Sequence, residues 1–158
     1  MPSEIERKFL VSRTGWQQPD PRRVIQGYLN RDKCRTVRVR IDDMRGFLTV
    51  KGMNTGATRD EFEYPIPLAD ARQLLGLCDG ALIEKLRHEL IFEGMRWEVD
   101  QFQGANAGLV VAEIELAAET QAFARPAWVG EEVTQDPRYF NSNLSAHPFN
   151  AWPVGQGS

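Results

Sequence analysis

Charged side chains recur two residues apart in six separate stretches of the sequence, and both members of each pair carry the same sign. The pairs are Glu4 and Glu6, Arg38 and Arg40, Glu61 and Glu63, Lys85 and Arg87, Glu98 and Asp100, and Glu113 and Glu115. With Lys8 and Lys51, they form a set of eight acidic and six basic residues. Carboxylate pairs suit Mg²⁺ or Mn²⁺, and Lys and Arg donors suit phosphoryl oxygens. The set therefore predicts a site for a polyphosphate bound together with a divalent metal.

A closed barrel explains this charged face better than an ordinary sheet with one solvated face, which is the simplest alternative. Residues two apart on one strand face lie about 7 Å apart, and like-charged neighbours destabilise a sheet. Three of the four lysines, Lys8, Lys51 and Lys85, also fall on this face rather than in loops. We therefore expect the charged faces to line a central water-filled passage, while the apolar faces point outward and are covered.

The alternation of polar and apolar residues predicts eight strands separated by turn residues. They span roughly residues 3–11, 24–30, 36–42, 46–52, 59–66, 83–92, 95–102 and 109–116. Turns at 42–46 and 93–94 predict hairpins, and hence antiparallel pairing. A helix is predicted at 68–78, with shorter helices at 118–124 and from Asp136. The expected fold is mainly β (α+β): an eight-stranded antiparallel closed barrel, or tunnel, with a charged interior and a few flanking helices.

Length and composition favour a single tunnel domain over residues 1–150, followed by a flexible C-terminal tail over 151–158. The formal net charge of −3 argues against sequence-independent binding of nucleic acid. No signal peptide and no apolar run near 18 residues is visible, so we expect a cytoplasmic protein that does not enter a membrane. Cys34 and Cys78 are expected to stay reduced there. The oligomeric state is left open, with a homodimer as one option.

The ordered charged motifs resemble those of the CYTH superfamily, whose members are also called triphosphate tunnel metalloenzymes. The segment Glu4-Ile-Glu6-Arg-Lys8 is similar to the N-terminal ExExK signature of that superfamily. The later strands of the superfamily are similar, in order, to the segments Arg38-Val-Arg40, Thr49-Val-Lys51-Gly, Glu61-Phe-Glu63-Tyr, Glu84-Lys85, Trp97-Glu98-Val-Asp100 and Glu113-Ile-Glu115. The resemblance covers residues 3 to about 150, and the segment 130–148 looks like the short bacterial members.

This resemblance implies a tunnel that binds a small-molecule triphosphate together with a divalent metal. On that basis, Mg²⁺ or Mn²⁺ would be held by Glu4, Glu6, Glu61, Glu63, Asp100, Glu113 and Glu115. Phosphate would be bound by Lys8, Arg38, Arg40, Lys51, Lys85 and Arg87. A lysine and tyrosine pair is the proposed catalytic base in some relatives, and Lys8 and Tyr28 occupy the matching positions here.

We predict metal-dependent hydrolysis of a triphosphate phosphoanhydride, most simply of inorganic triphosphate to pyrophosphate and phosphate. None of the four tryptophans indicates an aromatic shelf for an organic ring, which favours the inorganic substrate. The alternatives are a nucleoside or thiamine triphosphatase, an adenylyl cyclase of the CYTH type, and a non-catalytic polyphosphate-binding module. His88, His147 and the two cysteines lack partners at the spacing of a transition-metal site or a cysteine nucleophile.

Overall fold

The computed structural model describes residues 3–153, which form nine strands and two α-helices. The strands are β1 (Ser3–Val11), β2 (Arg22–Asn30), β3 (Arg35–Asp42), β4 (Arg45–Gly52), β5 (Thr58–Ile66), β6 (Asp79–Phe92), β7 (Met95–Gln103), β8 (Val110–Glu115) and β9 (Val129–Glu132). The helices are α1 (Leu68–Leu75) and α2 (Asn141–Ala146), and 3₁₀ turns occupy Gly104–Asn106, Pro137–Tyr139 and Phe149–Ala151. No helix within the described residues is both long and apolar enough to cross a membrane.

Eight of the strands close into an antiparallel barrel in the order β5-β4-β3-β2-β6-β7-β8-β1. The barrel closes where β1 pairs with β5, with Ser3 opposite Asp60 and Ile5 opposite Thr58. Further along β1, Phe9 and Val11 pair instead with β9. The predicted eight-stranded antiparallel closed barrel is therefore confirmed, and the short β9 is an additional strand that the alternation did not predict.

The outward faces of β1, β7 and β8 carry the larger of two apolar clusters. Phe9, Trp97 and Ile114 are buried there beneath Trp16 and Trp128, which belong to connecting segments. Burial of a side chain such as Phe9 contributes about 1.5–3 kcal/mol to stability. A barrel with a charged interior has to bury its apolar side chains on the outside, and these connecting segments provide the cover.

The helix predicted at 118–124 is wrong, because this segment is irregular. The Phe123 ring packs edge-on against Phe9 and Trp97, with ring centroids 6.1 and 5.8 Å apart. The Gln121 side chain accepts a hydrogen bond from the backbone N–H of Ala117 at 2.6 Å. A helix of about two turns is unstable by itself, so the contacts of one aromatic ring decide the path of the chain.

The helix α1 packs against β3 and β4, and its Ala71 is fully buried. A Cβ atom at Gly46 would lie only 2.8 Å from the Cβ of Ala71, so glycine permits this close approach. The helix ends at Leu75, earlier than predicted, because the following backbone forms i→i+3 hydrogen bonds up to Cys78. The helix thus covers one outer wall of the barrel.

The barrel interior changes character along its length. Its inward-facing side chains become apolar on β6, β7 and β8, although Lys85 and Asp100 lie on the same strand faces. This apolar end of the barrel comprises Ile83, Phe102, Leu109, Val111, Val133, Tyr139 and Leu144. The predicted water-filled passage is therefore limited to the remainder of the interior.

The segment 137–152 covers the apolar end. Asp136 caps its first turn as predicted, and its Oδ1 accepts from the backbone N–H of Arg138 at 3.1 Å. The turn is a short 3₁₀ helix, and α2 follows as a separate helix whose Ser145 hydroxyl donates to the Ala81 carbonyl at 2.7 Å. Trp152 packs on the Tyr139 ring, with centroids 5.5 Å apart. Residues 154–158 of the predicted tail lie outside the described residues.

Candidate active site

The charged strand faces enclose a cavity of about 340 Å³ inside the barrel, a size typical of small-ligand sites. Every charged residue predicted for the passage except Asp100 lines it: Glu4, Glu6, Lys8, Arg38, Arg40, Lys51, Glu61, Glu63, Lys85, Arg87, Glu98, Glu113 and Glu115. Tyr28 lines it as well. The cavity also receives arginines that the sequence pattern left out, namely Arg22, Arg45, Arg59 and Arg96.

Glu4 and Lys51 form a buried ion pair where β1, β4 and β5 meet. The Lys51 Nζ atom lies 2.7 Å from Glu4 Oε1 and 3.4 Å from Glu61 Oε2. The Arg59 Nε atom lies 3.4 Å from the same Glu4 oxygen. Burial by itself would raise the pKa of Glu4, but Lys51 and Arg59 outweigh it and lower that pKa below its usual value. Glu4 is therefore an ionised carboxylate at neutral pH.

Arg38 and Arg40 bring positive charge into the cavity with few carboxylates to balance it. An Arg38 terminal nitrogen lies 3.2 Å from Thr49 Oγ1 and 3.5 Å from Glu63 Oε1. The Arg38 Nε atom is buried and has no hydrogen-bond partner among the described residues. Burial, together with the neighbouring Arg38 and Arg87, lowers the pKa of Arg40 to about 10. An anionic ligand in the cavity would relieve the repulsion between these cations.

Asp100 lies behind the cavity lining and binds two of its cations. Its oxygens accept from Arg87 at 2.8 and 2.9 Å, and Lys85 Nζ lies 2.7 Å away. Burial would raise the pKa of Asp100, but Arg87 and Lys85 lower it to about 2. The Lys85 pKa falls to about 7, since burial and the adjacent Arg87 and Arg40 outweigh the attraction of Asp100. Asp100 therefore orients Lys85 and Arg87, two residues predicted to bind phosphate. Both of its oxygens are engaged by these cations, so neither is free for a metal ion.

Carboxylates face one another across β1, β8 and β7. Glu6 lies opposite Glu115, and Glu98 lies opposite Glu113, although like charges at opposed positions destabilise a sheet. Burial and the nearby Glu113 raise the pKa of Glu6 well above its usual value. Burial also raises the pKa of Glu98 and of Glu115, with further contributions from neighbouring carboxylates.

These carboxylates have the donor chemistry of a divalent metal site but not its final geometry. Across residues 3–153, no three carboxylate, histidine or cysteine side chains converge closely enough to form a complete site. Their hard oxygen atoms are nevertheless the ligands that Mg²⁺ and Mn²⁺ prefer. A divalent cation would also relieve the mutual repulsion that raises the pKa of Glu6.

The predicted base residues, Lys8 and Tyr28, line the cavity from opposite walls, because four strand-to-strand steps separate β1 from β2 in either direction. Lys8 Nζ donates to the Tyr139 carbonyl at 3.4 Å and lies 5.8 Å from the Phe140 ring centre. The Tyr28 hydroxyl accepts from Gln26 Nε2 at 3.4 Å. No hydrogen bond joins Lys8 to Tyr28 within the described chain, so they could act together only through a ligand or water between them.

The sequence of this barrel matches a family model described as the CYTH domain over residues 2–146, which is most of the chain. The chain belongs to the CYTH family. The resemblance inferred from the charged motifs is thereby confirmed.

Two curated relatives of this CYTH protein are named inorganic triphosphatase. The protein from Acetivibrio thermocellus is 50% identical over a span covering 94% of this chain and 97% of the relative. The protein from Nitrosomonas europaea is 36% identical and covers 90% of this chain and 97% of its own length. A solved structure, that of the inorganic triphosphatase NE1496, superposes with a TM-score of 0.66 at 34% identity. It covers 90% of this chain and 97% of that one.

The sequence did not identify Gln26 and Asn141, two amide side chains of the CYTH site, as residues that could bind a ligand. Gln26 is fully buried and accepts from Arg40 Nε at 2.8 Å. Asn141, the first residue of α2, accepts from Gln26 Nε2 and from Lys85 Nζ, both at 3.0 Å. The strand parity of Gln26 placed it on the polar face, but no pattern in the sequence indicated that Asn141 would reach the interior.

His88 and the two cysteines, for which no catalytic or metal-binding role was predicted, lie outside the cavity. His88 is buried on the outer face, where its Nδ1 accepts from the backbone N–H of Gln18 at 3.0 Å and its ring packs edge-on against Trp16. Cys34 is exposed and Cys78 is partly buried, and both are free thiols.

Proposed function

We propose that this protein hydrolyses inorganic triphosphate to pyrophosphate and phosphate with the help of Mg²⁺ or Mn²⁺. The observation that carries the proposal is the enclosed cavity, in which buried cations and facing carboxylates are present together. The two relatives named inorganic triphosphatase, matched over 97% of their length, support the same activity. We further propose that the protein works in the cytoplasm on this small anion rather than on nucleic acid.

The basic side chains would hold the phosphate groups: Lys8, Arg38, Arg40, Lys51, Lys85 and Arg87. Arg38 lines the cavity, and Thr49 and Glu63 hold one of its terminal nitrogens. Arg87 and Lys85 are held in place by Asp100, so they need little reorganisation when the anion enters. Fixed donors of this kind offset the charge on the transferred phosphoryl group, which is the main contribution of proteins to phosphoryl transfer.

The carboxylates Glu4, Glu6, Glu113 and Glu115, together with Glu61 and Glu63, would hold the metal ion. When bound, the ion supplies charge neutralisation and polarises phosphoryl oxygens. The sequence pattern includes Asp100 in this set, but its two oxygens are engaged by Arg87 and Lys85. We assign Asp100 the orientation of those two cations instead.

Lys8 and Tyr28 are the candidates for activating the attacking water. Within residues 3–153 Lys8 forms no ion pair, so its amine is available to a ligand in the cavity. A water held between the two walls could contact Lys8 while its oxygen faces a phosphorus atom on the side opposite the leaving pyrophosphate oxygen, the in-line arrangement that hydrolysis requires.

Inorganic triphosphate is preferred over organic triphosphates because the cavity offers no tryptophan to an organic ring. Trp16, Trp97 and Trp128 belong to the outer apolar cluster, and Trp152 packs against the apolar end. None of these four residues lines the cavity. A nucleoside or thiamine ring would therefore have no indole to stack on in the cavity, whose aromatic lining residues are Tyr28, Phe47 and Phe140.

A substrate panel tests the proposal. Release of phosphate and pyrophosphate from inorganic triphosphate, ATP and thiamine triphosphate should be measured with Mg²⁺, with Mn²⁺ and with EDTA. We expect inorganic triphosphate to have the highest kcat/KM and EDTA to abolish turnover. Fast ATP hydrolysis with inert triphosphate would reverse the assignment, and formation of cyclic AMP would indicate a cyclase. Binding in EDTA without turnover in either metal would indicate a polyphosphate-binding module.

A further inference from the structure

Asn141 belongs to a chain of four side chains whose hydrogen bonds have one fixed direction. Arg40 Nε donates to Gln26 Oε1 at 2.8 Å, and Gln26 Nε2 donates to Asn141 Oδ1 at 3.0 Å. From the other side, Lys85 Nζ donates to the same Asn141 oxygen at 3.0 Å. All four residues are inside the barrel, and Asn141 lines the cavity.

The two cations at the ends of this chain determine how both amides are oriented. The Arg40 guanidinium and the ammonium form of Lys85 can only donate, so the groups facing them must be oxygens. Gln26 therefore turns its oxygen to Arg40 and its NH₂ group to Asn141. Asn141 in turn must offer its oxygen to Lys85 and Gln26. The requirement from Arg40 and the requirement from Lys85 agree. Both use the Asn141 oxygen, and the Asn141 NH₂ group has no hydrogen-bond partner among residues 3–153.

The backbone that carries Asn141 is held firmly at the apolar end of the barrel. Leu144, one turn further along α2, is fully buried in that cluster. The Ser145 hydroxyl, also buried, lies 2.7 Å from the Ala81 carbonyl and 3.2 Å from the Asp79 carbonyl on β6. The amide of Asn141 is thus presented by a docked element, as expected for a preorganised ligand contact.

We propose that the free NH₂ group of Asn141 donates hydrogen bonds to a phosphate oxygen of the bound triphosphate, with Gln26 and Lys85 fixing its orientation. Asn141 is then a substrate-binding residue, and this role rests on the proposed function. A neutral donor is suited to this position, since Arg40, Lys85 and Arg87 already crowd positive charge here. It adds a contact to phosphate without adding further repulsion.

Substitution of Asn141 by Asp separates this role from a purely structural one. The N141D side chain keeps an oxygen for Lys85 and Gln26, but it replaces the NH₂ group with a second oxygen that repels phosphate. N141A removes the amide without adding charge. N143D is the matched control, because Asn143 is on the same helix, bonds the Pro137 carbonyl at 2.7 Å and does not line the cavity.

The experiment measures KM and kcat for inorganic triphosphate, together with Tm, for the wild type and the three variants. We expect KM to rise about tenfold in N141A and more in N141D, from the loss of hydrogen bonds to a charged ligand. N143D should stay within about twofold of the wild type. A folded N141D with the KM of the wild type would overturn the proposal, since this variant replaces the two N–H donors with an oxygen that repels phosphate.

Calorimetric titration with inorganic triphosphate distinguishes this proposal from the proposed function. If the wild type binds triphosphate but does not hydrolyse it, the assigned activity fails while the Asn141 contact can still be measured. An affinity about tenfold weaker in N141A than in the wild type then supports the contact. Equal affinities of the wild type and N141D, or no binding to the wild type, overturn it.

Discussion

Glu6 on β1 lies directly opposite Glu115 on β8, so two carboxylates face each other inside the barrel. Glu6 is further crowded by Glu113 and by its own burial, and its pKa is raised well above the usual value. Opposed like charges destabilise a sheet by up to about 1 kcal/mol. A folded protein that keeps such a pair gains from a cation that binds there.

Replacing Glu6 with Gln should make the metal-free protein more stable, because burial and Glu113 disfavour a charge at this position and the amide keeps the shape of the side chain without one. We expect a gain of about 0.5–1 kcal/mol in the free energy of unfolding, measured by urea denaturation in EDTA. Glu131 is exposed on β9, so E131Q should change little and serves as the control. A less stable E6Q would show that Glu6 makes favourable interactions in the metal-free protein and does not need a cation.

Adding Mg²⁺ or Mn²⁺ should raise the Tm of the wild type, since a ligand that binds only the folded state stabilises it. At a free concentration of about one hundred times Kd, the gain is about 2.7 kcal/mol. E6Q and E115Q should show a smaller shift at the same concentration, whereas E131Q should match the wild type. Equal shifts in all four proteins would place the ion elsewhere.

Removing the charge of Asp100 should destabilise the protein whether or not metal is present. D100N leaves the buried Arg87 and Lys85 without their shared carboxylate, and loss of one partner of a buried ion pair costs about 3–5 kcal/mol. Urea denaturation in EDTA measures the loss, with the exposed Asp60 as a control in D60N. A D100N variant as stable as the wild type in EDTA, but with weakened metal binding, would instead indicate that Asp100 is a metal ligand.

Acidification should weaken an ion-pair cluster around Arg22. Its guanidinium bonds Asp42 at 2.8 and 3.1 Å and also contacts Glu89. Burial would raise the pKa of both carboxyls, but Arg22 lowers them below their usual values. Because these acids bind protons less readily when folded, their stabilisation is present above about pH 4 and is lost as the pH falls below it.

Replacing Arg22 with Met should therefore reduce the dependence of stability on acid. Unfolding free energies measured at neutral pH and at successively lower pH should fall less steeply in R22M than in the wild type. Arg23 is exposed on the same strand, and R23M should retain the slope of the wild type. An unchanged slope in R22M would mean that this cluster contributes nothing to acid sensitivity.

Lys8 should matter for turnover more than for binding if it helps to activate water. We expect K8M to lower kcat by about 10²-fold or more, with a smaller change in KM. Lys33 is the lysine that lies outside the charged faces, and it is exposed, so K33M is the matched control. A kcat equal to that of the wild type would remove Lys8 from the chemistry and leave it a binding role.

Strand alternation was enough to predict the barrel and the side of each strand that faces inward. The positions of Lys51, Glu61 and Arg87 in the cavity follow from parity alone, because side chains on a strand alternate between two faces. Parity does not show how far along a strand the cavity extends. Ile83 and Asp100 therefore share the inward faces of charged residues without lining the cavity.

Features that depend on distant contacts could not be predicted from local patterns. Asn141 reaches the interior because Leu144 and Ser145 dock α2 onto the barrel, and no local pattern encodes that docking. The segment around Phe123 does not form the predicted helix for the same reason, since the Phe123 ring packs against Phe9 and Trp97. In both places tertiary packing outweighs local propensity.

A crystal structure of the protein soaked with inorganic triphosphate and Mn²⁺, recorded with anomalous scattering, would show whether substrate and metal bind together inside the barrel. We predict an anomalous peak beside Glu6 and Glu113, and triphosphate density in contact with Arg38, Lys85 and Arg87. Ordered triphosphate and Mn²⁺ bound only on the outer surface, with the barrel cavity free of both, would show that the cavity is not the active site.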